Sequence, residues 1–197
     1  MTLTTMLLAG GSSRRMRVDK ATLMIAGEPL WQRQLRVLSG LRPETLWVSG
    51  QSGLRWCPIG TEIVTDKMPS RGPLSGVAEG LCLLKTSHLL VLAIDLPQMT
   101  TNHLRKLFGL AKPGKGVIPL NGGGLEPLCA VYPAEAAAAA GAALNSSDVS
   151  LQSVAQLLLQ QARARVYEVR PEEQALYLNM NTPLDLPPKA GASSLQP

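Results

Sequence analysis

Apolar positions along the 197-residue chain follow two patterns. Short continuous runs at 3–9 and 88–94 read as strands buried on both faces. The second run lies between a helix and a proline, which suits a central parallel strand. Other stretches are periodic. Leu74, Val77, Ala78 and Leu81 recur at i, i+3, i+4 and i+7, predicting an amphipathic helix with Pro73 at its start. Glu28-Pro29 opens another helix, lined by Leu30, Trp31, Leu35 and Leu38 and ended by Gly40. Helices are also expected at 100–107, capped by Thr100 or Thr101, at the alanine-rich 133–144, and at 150–161. In the last, Leu151, Val154 and Leu158 face inward, with Leu157 beside them. Short strands are expected at 44–49, 62–65, 116–120, 128–132 and 165–169.

Strands alternating with helices predict an α/β fold, a Rossmann-like three-layer α/β/α sandwich with a mostly parallel sheet. One domain is expected over 1–186, followed by a frayed Pro/Ala/Ser-rich tail at 187–197. Ligands of such sheets bind outside the carboxyl ends of the strands. The loop at 9–20, Asp66 and Asp95 all fall just after strands and should converge on that edge.

Composition narrows the function classes. Hydrophobic residues make up 45% of the chain and aromatic ones 4%. The chain should fold, and it lacks the aromatic platforms that bind single-stranded nucleic acid. Residues 1–42 carry seven Lys/Arg against two Asp/Glu, and the other 155 residues carry twelve against twelve. The whole positive excess is therefore local. It fits a small polyanion such as a nucleotide better than a nucleic-acid-coating surface. Cys57, Cys82 and Cys129 match neither a zinc site nor a disulfide framework, and Cys82 and Cys129 read as small core residues. No apolar run reaches membrane-spanning length, so no membrane partner and a reducing, cytoplasmic location are expected. His88 and His103 are isolated, and neither is assigned a metal or acid–base role. Trp31, Trp47 and Trp56 read as core or surface cover.

The basic excess surrounds Leu8-Ala9-Gly10-Gly11-Ser12-Ser13-Arg14-Arg15-Met16-Arg17-Val18-Asp19-Lys20. A buried strand leading into glycines, hydroxyls and cations presents backbone N–H groups and charge to phosphates. The string is neither the dinucleotide fingerprint nor a Walker A loop. It resembles the Leu-Ala-Gly-Gly-x-Ser-x-Arg-Met-Gly-x-Asp-Lys signature of the molybdenum cofactor guanylyltransferases, the MobA-like nucleotidyltransferases. Arg17 departs from it, standing where the family usually has glycine. The resemblance runs on in order over about residues 3–185. Asp66 and Gly72-Pro73-Leu74-Ser75-Gly76 match the family's nucleotide Asp and Gly-Pro-Leu-x-Gly. Asp95-Leu96-Pro97 matches its metal-binding Asp-x-Pro, and Glu126-Pro127-Leu128 its acceptor-side segment. Asn179-Met180-Asn181-Thr182-Pro183 matches its Asn-x-Asn-Thr-Pro.

The resemblance implies a nucleotide-diphospho-sugar-transferase-like fold and a reaction. GMP would pass from GTP to the terminal phosphate of molybdopterin or its molybdenum form, releasing pyrophosphate, with Mg²⁺ as cofactor. Such a site positions two polyanions and neutralises charge. Arg15 and Lys20 are the candidates for stabilising pyrophosphate. Leu8, Ala9 and Gly10, with Gly72 and Gly76, would line the base pocket, and Gly11 and Ser13 complete the nucleotide loop. Asp95 ends a strand with no other charge. It would either hold Mg²⁺ or cap the following helix, and burial there without a cation is costly. Asn181 or Asn179 would complete the metal shell or form a turn. The molybdopterin end would meet Glu126 and the Asn-x-Asn region. The protein partners implied are a molybdoenzyme or a cofactor-biosynthesis protein. The alternatives are a CTP-using or sugar-phosphate nucleotidyltransferase, and a non-catalytic nucleotide-binding protein.

Overall fold

The computed structural model describes residues 1–9, 19–50, 54–65, 71–146 and 150–180. Its centre is β1 (Leu3–Leu8), every residue of which is buried. On one side β1 pairs in parallel with β6 (His88–Ala93), in register from Leu3 opposite His88 to Leu8 opposite Ala93. On the other it pairs in parallel with β4 (Thr45–Ser49), and β4 with β5 (Glu62–Val64). The two apolar runs are thus adjacent central strands. Alternate residues of each feed two cores, as a period of two requires. Leu3, Leu7, Leu90 and Leu92 face one core, and Met6, Leu8, Leu89 and Val91 the other.

The first core is covered by α1 (Leu30–Ser39) and α3 (Thr101–Leu110). The second is covered by α2 (Pro73–Leu83), α4 (Ala136–Leu144) and α5 (Leu151–Gln160). This is the expected three-layer sandwich. Met24–Ile25 and Glu28–Pro29 form a two-stranded ribbon, β2 and β3, ahead of α1, so Pro29 caps the helix and Glu28 lies outside it. Thr100 is the cap of α3, its hydroxyl accepting from His103 N at 3.3 Å. None of the helices of the described residues is long and apolar enough to cross a membrane.

The sheet is mostly parallel, as expected, but two of its strands, β8 and β9, run against the rest. β7 (Gly116–Asn121), the short β8 (Gly124–Leu125), β9 (Cys129–Pro133) and β10 (Ala164–Glu168) extend it to the order β10-β7-β9-β6-β1-β4-β5, with β8 beside β7. β9 runs antiparallel to both β6 and β7, so β6 is parallel on one side only. Local hydrophobicity carries no information about strand direction, since a strand buried on both faces reads the same either way.

Four side chains depart from expectation. Cys82 is exposed, whereas Cys129 is fully buried. Leu157 is 37% exposed; the inner face of α5 is Leu151, Val154, Ala155 and Leu158. The buried face of α1 is Leu30, Gln34, Val37 and Leu38, while Trp31 and Leu35 lie at its flank.

Two glycines of α2 have different causes. Gly72, its N-cap, has φ +71°, a conformation that favours glycine. Gly76 lies against β4, where an added Cβ would stand 2.1 Å from Ser49 Oγ and 3.6 Å from Leu8 Cδ2. The missing side chain at Gly76 lets α2 approach the sheet.

A 3-10 helix, Pro171–Tyr177, folds back onto α3 through a polar cluster the sequence did not announce. Tyr177 Oη lies 2.7 Å from His103 Nε2. Lys106 Nζ donates to Glu173 at 2.7 Å and to Tyr167 Oη at 2.6 Å, and Tyr167 also donates to Glu173. Burial opposes ionisation of Glu173, but hydrogen bonds from Lys106, Tyr167 and Arg170 N outweigh it and hold the pKa at about 2, below the ordinary 4.5. Burial lowers the pKa of His103 below 6.5, against the pull of Glu173.

Two expected outcomes follow. Gly76→Ala overpacks the α2–β4 contact and destabilises the protein by about 1–3 kcal/mol; Ser49→Ala in the same chain restores part of that loss, both read from urea midpoints. Equal stability of Gly76→Ala and parent would refute the contact. In both depressed groups the unfolded chain binds more protons, so stability rises with pH. The contribution of His103 fades below pH 6.5, and that of Glu173 as pH falls through 4.5 toward 2. Glu173→Gln costs about 2 kcal/mol at neutral pH and flattens the acid limb. Urea titrations across the acid range check this, and an unchanged acid limb would refute it.

Candidate active site

The parallel strands β1, β4, β5, β6 and β7 all end on one edge of the sheet, and the chain enters β9 there. Backbone hydrogen bonds stitch this edge together. Ala9 N donates to Ser49 O at 2.9 Å, Gly50 N to Val64 O at 3.1 Å and Ile94 N to Leu8 O at 3.1 Å. Ala93 N donates to Leu128 O at 2.8 Å, tying β6 to the start of β9. Leu8 is buried, Ala9 half-buried, and Gly76 packs beside Leu8.

Two opposite charges meet on the edge. Lys20 Nζ lies 3.7 Å from Asp95 Oδ2, with both side chains about a quarter exposed (21% and 25%). Partial exposure leaves both reachable by a ligand. Lys20 opens a 3-10 turn, Lys20–Thr22, whose cap is Asp19. Both Asp19 oxygens are used: Oδ1 accepts from Ala21 N at 3.0 Å and Oδ2 from Trp56 Nε1 at 2.9 Å. Trp56 in turn stacks on Trp31 of α1, with ring centroids 5.9 Å apart. Asp19 is therefore a structural acid that sets the turn carrying Lys20. Trp56 is the unforeseen partner, since nothing in its own neighbourhood signalled a contact so distant in sequence.

Asp95 sits in a loop pinned from several sides. Gln34 Nε2 donates to Ile94 O at 3.3 Å and Leu96 O at 2.7 Å, Arg33 Nε donates to Pro97 O at 2.6 Å, and Met180 N donates to Asp95 O at 2.8 Å. The last bond brings the Asn179-Met180 segment onto the loop. Gln34 and Arg33 were not singled out in the sequence. The available signal was a polar residue at a buried position of α1, where spacing calls for an apolar one.

Glu126, at the connection from β7 to β9, lies within electrostatic reach of Asp95. Burial and the Asp95 charge raise its pKa above 4.5, while Asn121, which donates to it at 3.3 Å, acts the other way. Asp95 and Glu126 supply hard carboxylate oxygens. Among the described residues no group of three or more His, Cys, Asp or Glu forms a closed metal cage. A sparse oxygen set of this kind fits Mg²⁺, which takes one or two carboxylates and fills its shell with water and phosphate oxygens.

Of the residues singled out in the sequence, the structure brings together Leu8, Ala9, Lys20, Gly76, Asp95 and Glu126. Gly72 caps α2 with open space around it. Gly10, Gly11, Ser13, Arg15, Arg17, Asp66 and Asn181 lie outside the described residues. Neither histidine reaches the edge chemistry. His88 Nε2 faces the carbonyls of Lys112 and Lys115, and His103 belongs to the cluster on α3.

The family described as "MobA-like NTP transferase domain" matches residues 5–170. A protein of Opitutus terrae named "Probable molybdenum cofactor guanylyltransferase" is 35% identical, over 91% of this chain and 90% of that one. One of the same name from Chloroflexus aggregans is 31% identical over 94% and 92%. Among solved structures, "Molybdopterin-guanine dinucleotide biosynthesis protein A" from Archaeoglobus fulgidus superposes with a TM-score of 0.66 at 23% identity, covering 92% and 94% of the two chains. A 2-C-methyl-D-erythritol 4-phosphate cytidylyltransferase from Thermus thermophilus gives 0.65 at 18% identity, covering 94% and 95%. These structures share the fold, and the sequence match over most of the chain goes further. The chain belongs to the MobA-like NTP transferase family.

Proposed function

We propose that the protein is a molybdenum cofactor guanylyltransferase, joining GMP from GTP to the terminal phosphate of molybdopterin or its molybdenum form and releasing pyrophosphate. The observation that carries this reading is the Lys20–Asp95 pair at the carboxyl edge of β1 and β6, in a chain matched along nearly its whole length by guanylyltransferases. The acceptor phosphate oxygen attacks the α-phosphorus of GTP. The bond from that phosphorus to the bridging oxygen breaks, and pyrophosphate leaves with the electron pair. The protein's work is positioning and charge neutralisation.

Lys20 is a compact ammonium suited to the β- and γ-phosphates as negative charge gathers on the leaving group. Arg15 is proposed for the same task from the loop. Leu8, Ala9, Gly10, Gly11 and Ser13, with Asp66, Gly72 and Gly76, are proposed to hold the nucleoside and its phosphates. Asp95 would hold Mg²⁺, with Asn181 adding a side-chain oxygen. When bound, that cation supplies neutralisation of the α-phosphate and pyrophosphate oxygens. Glu126, a half-buried carboxylate on the same edge, is proposed to meet the acceptor. Partial exposure of both side chains leaves Lys20 within reach of a polyanion and Asp95 within reach of its cation.

The test is pyrophosphate release from GTP, Mg²⁺ and molybdopterin by the purified protein. Turnover with GTP is expected. Turnover with CTP alone would overturn the guanine assignment, and GTP binding without release would overturn the enzymatic one. Asp95→Asn keeps the fold and lowers turnover about a hundredfold or more, because a neutral amide holds Mg²⁺ poorly. Lys20→Ala raises the dissociation constant for GTP about tenfold in calorimetric titration. Unchanged values would remove either residue from the site.

A further inference from the structure

We infer that Gln34, on α1 and outside the family motifs matched in this sequence, is the positioning residue for Asp95. The inference rests on the nucleotidyl-transfer reading above, in which Asp95 holds the cation. Gln34 is fully buried on a helix face otherwise made of Leu30, Val37 and Leu38. Its Nε2 bonds reach the carbonyls of Ile94 and Leu96, the two residues that flank Asp95. A carboxamide nitrogen has two hydrogens, and both are spent on this loop. A flipped amide would set Oε1 against two carbonyl oxygens, so its orientation is determined by the loop. Among the described residues Oε1 itself has no hydrogen-bond partner. The residue thus accepts an unsatisfied oxygen in the core and directs its entire donor capacity at the backbone on either side of one carboxylate.

The neighbouring contacts complete a clamp. Arg33, the preceding residue, takes Pro97 O, and Met180 N takes Asp95 O. Four successive carbonyls, 94 to 97, are held from outside the site, which leaves the Asp95 carboxylate directed toward Lys20. Backbone torsions at 94–96 set where that carboxylate points. A loop released from Gln34 would retain Asp95 but lose its aim, and supporting residues of this kind govern metal affinity and rate.

The test uses Gln34→Met, which matches the glutamine in length and suits the core but donates no hydrogen bond. GTP affinity without divalent cation is expected to stay within about twofold of the parent. Turnover should fall about tenfold, and the Mg²⁺ concentration for half-maximal rate should rise by a similar factor. Mn²⁺ affinity of the protein–GTP complex, read by electron paramagnetic resonance, should weaken in parallel. In the Asp95→Asn background, Gln34→Met should weaken Mn²⁺ no further. A fall in melting temperature with unchanged Mn²⁺ affinity would overturn the inference, as would additive losses in the double variant. Should Gln34→Met fail to fold, Arg33→Met decides. It removes the bond to Pro97 O, along with an attraction to Glu28 away from the loop, and should weaken Mn²⁺ about two- to threefold; no weakening overturns the inference. If the parent binds Mn²⁺ and GTP yet releases no pyrophosphate, guanylyl transfer fails while the resonance measurement still decides the role of Gln34.

Discussion

The parallel register of β1 with β6 is the constraint on which the site depends. Six consecutive residue pairs, Leu3 with His88 through Leu8 with Ala93, fix where each strand leaves the sheet. Because both strands are buried on both faces, a slip of one residue would turn each side chain toward the opposite core. The two exits therefore stay level. The β6 exit leads directly to Asp95, so apolar packing fixes where the carboxylate loop begins, while Asp19 and Trp56 hold the turn that carries Lys20. The remaining strands reinforce that edge: β4 and β5 extend it on one side, and β9 closes it on the other through Ala93 N and Leu128 O.

The parts legible in sequence were those in which a residue's neighbours determine its environment. The runs at 3–8 and 88–93 announced buried strands, and the spacing of Leu74, Val77, Ala78 and Leu81 announced α2. Lys20 and Asp95 followed from motifs placed after strands. What escaped depends on contacts between distant segments. The reversal of β9 is set by its partners β6 and β7 and leaves no trace in its own apolar pattern. Cys82 and Leu157 lie in apolar stretches but fall on the outer sides of their helices, which only the docked orientation decides. Trp56 with Asp19 and Gln34 with the Asp95 loop join segments far apart in sequence, and no local periodicity anticipates such pairs.

Two buried polar groupings divide the labour. The cluster of His103, Tyr177, Lys106, Glu173 and Tyr167 is densely hydrogen-bonded and joins the 3-10 helix to α3 and β10. Its cohesion grows from charge-assisted bonds in partial burial. Gln34 is different in kind. Among the described residues Oε1 meets no donor; a buried acceptor so placed costs about 1–3 kcal/mol, which an apolar residue of the same length would avoid. Sites that break the local rules in this way are where fold stability is exchanged for a precise arrangement. In this chain the exchange occurs under the carboxylate rather than at it.

The bond from Met180 N to Asp95 O also has a consequence for biosynthesis. The ribosome delivers β1, β4, β5 and β6 early, and these strands form the edge that carries Asp95. Asp95 emerges with them, but one carbonyl of its loop waits for a donor that is translated after β10. A nascent chain can pair its central strands well before that point, yet its carboxylate loop remains incompletely held until residue 180 has cleared the exit tunnel. Domains fold as units as they emerge, and here a segment made after all the strands secures the loop that carries Asp95. The Asp95 loop is thereby completed only after every strand of the sheet has been made.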